Sequence, residues 1–583
     1  MHGRALASGA ALLALTLAAS APPALGQAGA PLVAGPTAGS SVGAPLILGG
    51  SRPPAPDSDA PLAGAPPAPP EPPPAVEPQQ ATGASRLPAP VEMGDIQQLD
   101  VWSVGVLPRT DGGLPNSLWA GSDAAALGAL FDRLPASIDS PAARTLARRA
   151  LASAGEAPGG AAADAGRKRV SALARMGFAD DVAAMATAAS AAFTEPNIAQ
   201  FAAQSELARN RRGEACVRVR AAVGDAPPPF ILRMRAYCAA AQGDAAMTDL
   251  ALEVARSANA EDAWFRTAIG ALISRPARPP AARYDTPLNA AVSLAAGLAP
   301  AAGNSIASST PLALLAIARS RDAPTPLLRA NAAAAAFRRG VLSKAEAREA
   351  IRAAIAAPPA PAPGFIGAVR DVEAQPGTLI AATAIDRALK QSSAYGDFVA
   401  AARLFQEDIA RLSQAPDPPA TLLLARAAAA IGDTPLAARL AYSAQQANAD
   451  PVGVARVRAA IALDDPGALS DRIAAGGPSV GRDAAILAEH QALNADGRAF
   501  LASHPPVGGV RGDGALLAAL QAAANRRAVG ETAILASLLA APGAHTLDAE
   551  TLAVIIRALR TVGLDDDARA IAVEALVGPP PAT

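Results

Sequence analysis

The sequence predicts an all-α fold: a right-handed α-solenoid of helical hairpins with a period of about 33 residues, behind a disordered Pro/Ala/Gly-rich N-terminal segment. Three observations carry this reading. Hydrophobic residues make up 51% of the 583-residue chain while aromatics make up only 3%, so alanine, the best helix former, supplies most of the apolar surface. Turn signals recur at a nearly constant interval, as repeat arrays require. The length also exceeds the ~250–300 residues at which one hydrophobic core usually stops growing.

Residues 1–26 read as a signal peptide. His2 and Arg4 precede an apolar run from Ala5 to Ala21, and Ala24-Leu25-Gly26 places small residues before a cleavage point at Gln27. The alanine-rich run is short and weakly apolar for a membrane span, and no cysteine follows it to carry a lipid. No integral span is expected after signal removal. Residues 27–92 are rich in proline, glycine and alanine, lack a helical period, and are expected to form a disordered tether. Residues 93–122 hold Trp102, Val104, Leu114, Leu118 and Trp119, too apolar for a free linker, and are expected to lie as an extended lead-in on the first helices.

Helix and turn alternate from residue 123. Glycine or Asp-Gly groups mark hairpin turns at Gly396, Gly432, Asp464 to Gly467, Asp496-Gly497, Gly530 and Gly563, the last four steps close to 33 residues. Gly177, Gly213, Gly243 and Gly340 are earlier members. The glycine is read as the left-handed residue that ends one helix, and the acidic residue after it as a cap for the next. In the last hairpin Leu552, Ile555, Ile556 and Leu559 face Ala568, Ile571, Ala572 and Ala575, both at i, i+3, i+4, i+7 spacing. These are tetratricopeptide-like hairpins. Four Thr-Pro-Leu triplets, at Thr286, Thr310, Thr325 and Thr434, follow no period and read as helix starts, not as ankyrin repeats. The expected layout is a first array over 123–275, an irregular helical region over 276–340, a second array over 341–577 and a disordered tail over 578–583.

The only cysteines, Cys216 and Cys238, stand eight and nine residues from the two ends of the loop Gly224–Pro229. Antiparallel helices joined by that loop place both thiols at one level. With an export signal ahead of them, they are expected to form a structural disulfide between adjacent repeats.

Little in the sequence points to catalysis. Gly477-Pro478-Ser479-Val480-Gly481 matches the nucleophile-elbow pattern, which needs a preceding strand; here a helix precedes it, and Ser479 reads as an N-cap. His490, His504 and His545 share no metal-ligand spacing. Gly509 to Gly514, with its Arg-Gly-Asp triplet, reads as a loop, and Asp565 to Asp567 as a helix start. No catalytic, cofactor-binding or metal-ligating residue is assigned, and no cofactor is expected. Net charge is −1, with no basic face for nucleic acid. Only Lys168, Lys344 and Lys390 are lysines among 50 basic residues, a bias attributed to codon usage.

The stretch "GVLPRTDGGLPNSLWAGSDAAALGALFDRLP" followed by alanine-rich hairpins resembles a family of exported bacterial proteins that join a signal peptide, a Pro-rich linker and degenerate tetratricopeptide-like repeats. Some members carry an "antifreeze glycopeptide polyprotein" label; the alanines here lack the short Thr-Ala-Ala repetition that name requires. The resemblance is specific around residues 104–134 and in the Cys216–Cys238 hairpin, and it implies no activity. The expected function is a non-enzymatic, periplasmic or secreted scaffold that binds an envelope protein or peptide on a concave surface. The alternative is a cell-wall or glycan-binding factor, which 3 Trp and 4 Tyr make the poorer fit.

Overall fold

A computed structural model of the chain describes residues 100–274, 276–301, 306–357, 364–491 and 495–579. The expected signal peptide and tether, the first part of the lead-in and the last residues of the tail lie outside them. Among the described residues there are 27 α-helices and no strand, only three isolated bridges.

The helices fall into four groups along the chain. The first holds α1 (Ala124–Arg133), α2 (Pro141–Ala152), α3 (Ala162–Arg175), α4 (Ala179–Ala188) and α5 (Pro196–Ala208). The second, α6 (Arg212–Ala221), α7 (Pro229–Ala241), α8 (Ala245–Ser257) and α9 (Ala263–Ser274), is an excursion. The third begins with α10 (Pro287–Ala295) and α11 (Pro311–Arg319), both of which return to pack on α5. It continues through α12 (Pro326–Arg338), α13 (Lys344–Ala356), α14 (Gly364–Ala374), α15 (Leu379–Lys390), α16 (Tyr395–Leu404) and the short α17 (Gln406–Arg411). The fourth opens with α18 (Pro418–Ala430), α19 (Thr434–Gln446), α20 (Pro451–Ile461), α21 (Pro466–Ala475) and α22 (Val480–Ala488). It ends with α23 (Ala495–Ser503), α24 (Gly514–Asn525), α25 (Val529–Ala540), α26 (Ala549–Thr561) and α27 (Asp565–Val577).

Local chemistry accounts for most helix starts. Asp123, Asp244, Asp417, Asp433, Asp450, Asp465, Asp513 and Asp548 each accept a hydrogen bond from a first-turn amide, a cap worth about 1 kcal/mol apiece. Thr286, Thr310 and Thr325 cap α10, α11 and α12 with proline at the next position. At Thr434 the cap is the preceding Asp433, and the threonine is the first helical residue.

The turns differ in part from the expected glycine rule. Gly177, Gly243, Gly340, Gly432 and Gly563 have the left-handed φ, but Asn210 and Arg527 take that role (φ 58° each) where Gly213 and Gly530 were expected. Gly213 lies inside α6, and Gly396 and Gly530 lie in the first turns of α16 and α25. At Gly530 the glycine serves close approach instead. A Cβ there would stand 2.5 Å from the Trp119 ring, and its N–H donates to the Leu118 carbonyl at 2.7 Å.

That contact belongs to a seam that joins the two ends of the helical array. α2 packs on both α25 and α27, and α27 also lies on α18 and α20. Spatial neighbours are therefore often remote in sequence, unlike an open array in which each hairpin meets only the next. The Asp139 and Ser140 amides donate to the Ala541 carbonyl at 2.9 and 3.3 Å. Glu574 of α27, buried, accepts from Ser140 Oγ at 2.8 Å, from the Ala142 amide at 3.3 Å and from the Ala544 amide at 2.8 Å. Arg149 pairs with Asp567 across the same seam.

The arginine bias also has a structural reason. Arg169 and Arg482, both fully buried, donate to carbonyls at the ends of other elements: Arg169 to Leu151 and Ser153 at the end of α2, Arg482 to Ala575 and Leu547. Arg175 donates to Phe131, Arg329 to Ala318 and Arg426 to Val577 in the same way. A planar guanidinium with five donors satisfies several orphan carbonyls at once, which a lysine ammonium does less well.

Candidate functional site

The excursion α6–α9 carries the sequence's one marked feature, the cysteine pair. Cys216 of α6 and Cys238 of α7 are bonded, with Cα atoms 5.7 Å apart, and both are buried. The loop over 222–228 turns the chain as the spacing predicted, and α8 then packs against α7.

The disulfide forms part of the floor of a groove of about 460 Å³. α8 starts at Asp244, which accepts from the Met247 amide at 3.0 Å, and this start fixes which sides of the helix face the groove. Thr248 and Ala255 point to the interior and are buried. Met247, Leu250 and Val254 occupy a second stripe, 51%, 55% and 42% exposed, and line the groove with Val219 and Leu232. Spacing of i, i+3 and i+7 places the three side chains on one face, and among the described residues no other helix covers it. Val217 and Val223, in and just after α6, are also exposed. Apolar surface gathered on one block, and not scattered singly, marks an interaction face.

Arg220, Arg235 and Asp244 are the charged residues that line the groove. Asp244 caps α8, and among the described residues neither arginine lies within 4 Å of a carboxylate; Arg235 makes one long contact, 3.5 Å, to the Ala222 carbonyl. The arrangement offers apolar burial along one helix face and two guanidinium groups without an ion pair at its edge. It has no nucleophile, no acid–base pair and no metal ligands, and among the described residues no group of three or more His, Cys, Asp or Glu is placed to hold a metal ion.

The other residues singled out in the sequence sit in structural settings. Ser479 precedes α22, but its hydroxyl does not cap the helix. It donates to Asp483 Oδ2 at 3.1 Å and accepts from Arg472 Nη2 at 3.0 Å, inside a buried cluster. Among the described residues no strand precedes it and no histidine bonds to it. His545 is held to a pKa of about 4, first by burial and then by Arg482 and Arg456, and its ring lies 5.2 Å from that of Tyr395. His490 is half-buried and its pKa is lowered, first by burial, while His504 stacks on Phe500. Arg511 pairs with Glu550 and Asp513 caps α24, so the Arg-Gly-Asp loop is tied down at both ends. Trp102 and Trp119 are buried edge to face against each other, 5.6 Å apart, and present no stacking surface.

No helix among the described residues is long and apolar enough to cross a membrane. Comparison with protein-family models, with curated proteins and with solved structures gives no match.

Proposed function

We propose that the protein is a non-enzymatic adaptor whose α6–α8 groove takes an amphipathic helix with acidic flanks from a partner protein. The observation that carries the reading is the uncovered stripe Met247, Leu250, Val254 above the disulfide. Burying it against another apolar helix face gains roughly 25 cal/mol per Å², the groove form of helix recognition. Acidic flanks on that helix complement Arg220 and Arg235.

The hairpins are read as degenerate, right-handed tetratricopeptide-like repeats near 33 residues long. Left-handed residues at 177, 210 and 243, each 33 after the last, support that period in the first array. A periplasmic or secreted location is supported by the disulfide together with the signal-like N-terminus, and it agrees with the resemblance to exported bacterial proteins.

The test places a photo-crosslinking residue at Leu250 in the full chain, with the same residue at exposed Thr383 as control. The expected product is a polypeptide with apolar residues at helical spacing beside Asp or Glu, and it disappears in Arg220→Glu/Arg235→Glu. Equal products from the two positions would overturn the reading. Binding to purified cell-wall sacculi with no polypeptide product would replace it with the glycan-binding alternative.

A further inference from the structure

A second cavity, of about 260 Å³, lies where the segment before α2 meets the end of α12 and the start of α16. Five charged side chains line it: Arg144 of α2, Arg338 and Arg339 at the end of α12, Asp139, and Asp397 in the first turn of α16. Among the described residues none of the five forms an ion pair within 4 Å. Elsewhere on α2, and on α11 and α13, Arg148, Arg149, Arg319 and Arg348 each hold a carboxylate. At the cavity three unpaired arginines are gathered in one lining.

Their donors are under-used. Arg144 makes one long contact, Nη1 to the Ile138 carbonyl at 3.4 Å, and lies flat against Gly340, where a Cβ would come within 2.8 Å of its Nε. Arg338 rests over the Phe365 ring at 5.7 Å, and its Nε is buried without a partner. Arg339 donates once, to the Ser309 carbonyl at 2.9 Å. Arg403 of α16 stands behind, also without a carboxylate within 4 Å. Burial, and then repulsion from Arg403, bring Arg144 down to about 10. The cavity is also lined by Ala394 and Gly396, at the start of a helix with no side-chain cap, so backbone donors there add to the field.

We propose that this cavity is a binding site for a small molecule bearing a single oxyanion group, a carboxylate or a phosphate, held by Arg144, Arg338 and Arg339. Each guanidinium can grip two such oxygens in parallel. Asp139 and Asp397 set the limit on charge: one oxyanion balances the arginine excess, while a polyanion meets both carboxylates. The volume, below the ~300 Å³ at which pockets for drug-sized ligands begin, restricts the ligand to a small one. Because the lining comes from α2, α12 and α16, the bound anion ties together three helices remote in sequence.

The experiment titrates the full chain with inorganic phosphate and, separately, with acetate in low-salt buffer, with chloride as the control, by calorimetry and by thermal melting. Saturable one-to-one binding of phosphate or acetate, with a raised melting temperature, is expected, and the stronger of the two identifies the group recognised. Arg144→Gln and Arg338→Gln should each weaken it roughly tenfold or more. Arg338 is half-exposed at a helix end, so its variant should fold even if the other does not. No saturable heat beyond chloride, or binding unchanged in folded Arg338→Gln, overturns the proposal.

Discussion

The seam between α2 and α25–α27 and the α6–α8 block are built from the same alanine-rich hairpins, and they finish their surfaces in opposite ways. In and beside the seam, the buried Glu574 and Arg482 are satisfied internally: Glu574 accepts three hydrogen bonds and Arg482 of α22 serves the carbonyls of Ala575 and Leu547. Side chains there are traded for close contact, as at Gly530 against Trp119. In the block the fold is held by a covalent bond between Cys216 and Cys238, and a row of apolar side chains is left facing outward. A surface that has spent its donors and acceptors on its own chain has little left for a partner. One held by a disulfide can keep an apolar face open and still stay folded.

The sharpest way to break this contrast is to remove a seam donor. Arg482→Met strands the buried carbonyls of Leu547, His545 and Ala575 and is expected to cost about 4 kcal/mol. Denaturant unfolding reads the loss, and hydrogen exchange should place it in α25–α27 and α2. A change under about 1 kcal/mol would mean the seam is not where stability is concentrated.

Removing the staple comes next. The bond closes a loop with a sequence separation of 22, for which the chain-entropy account gives about 3 kcal/mol. Cys216→Ser/Cys238→Ser should therefore open α6–α8 to proteolysis at concentrations of protease that leave the seam intact. Simultaneous loss of both regions would show that they unfold as one unit.

The pH response is smaller and sharpens the comparison. Burial raises Glu574 from 4.5 to about 7, so its contribution is fully present below pH 4.5 and is lost as pH rises through 7. His545, lowered from 6.5 to about 4, contributes above 6.5 and loses that contribution as pH falls through 4. The two oppose each other between 4.5 and 6.5. From pH 6.5 to 7.5 Glu574, with Arg144 and Tyr395 as its charged or polar neighbours, loses about 0.7 kcal/mol, while His545 and the likewise lowered His490 still gain in the opposite sense. The difference between wild type and Glu574→Gln isolates the carboxyl and should shrink by about 0.7 kcal/mol over that interval. A difference that stays constant would remove Glu574 from the account.

The smallest effect on stability belongs to the groove. Leu250→Glu changes a side chain already 55% exposed and should alter stability by less than about 0.5 kcal/mol, while abolishing the cross-linked product expected at this face. A large loss of stability would show that Leu250 packs inward.

What could be read from the sequence follows from how far apart the cooperating residues are. Helix starts at Thr286, Thr310 and Thr325 depend on the next few residues, and the disulfide on one loop, so both were legible. The second apolar stripe on α8 was present as Met247, Leu250 and Val254 at helical spacing, but nothing local says which of two apolar faces a helix will bury. Turns at Asn210 and Arg527 were hidden because nearby glycines, Gly213 and Gly530, carried the stronger signal. Arg482 and Glu574 gave none, since their partners come from elements folded against them and not from neighbours in the chain. The unpaired arginines of the α2–α12–α16 cavity were invisible for the same reason.

The hydrogen bond from Ser140 to Glu574 spans 434 positions of the chain. Closing a loop of that length costs about 5 kcal/mol in chain entropy before any constant, and it cannot begin until α27 has been made. During synthesis α2 must wait with its apolar face uncovered while more than four hundred residues follow. A chain cut short before residue 565 never receives α27, and the waiting surface stays available to proteases and chaperones. The seam thus makes burial of α2 depend on α27: only a molecule made through residue 577 can cover its first helices.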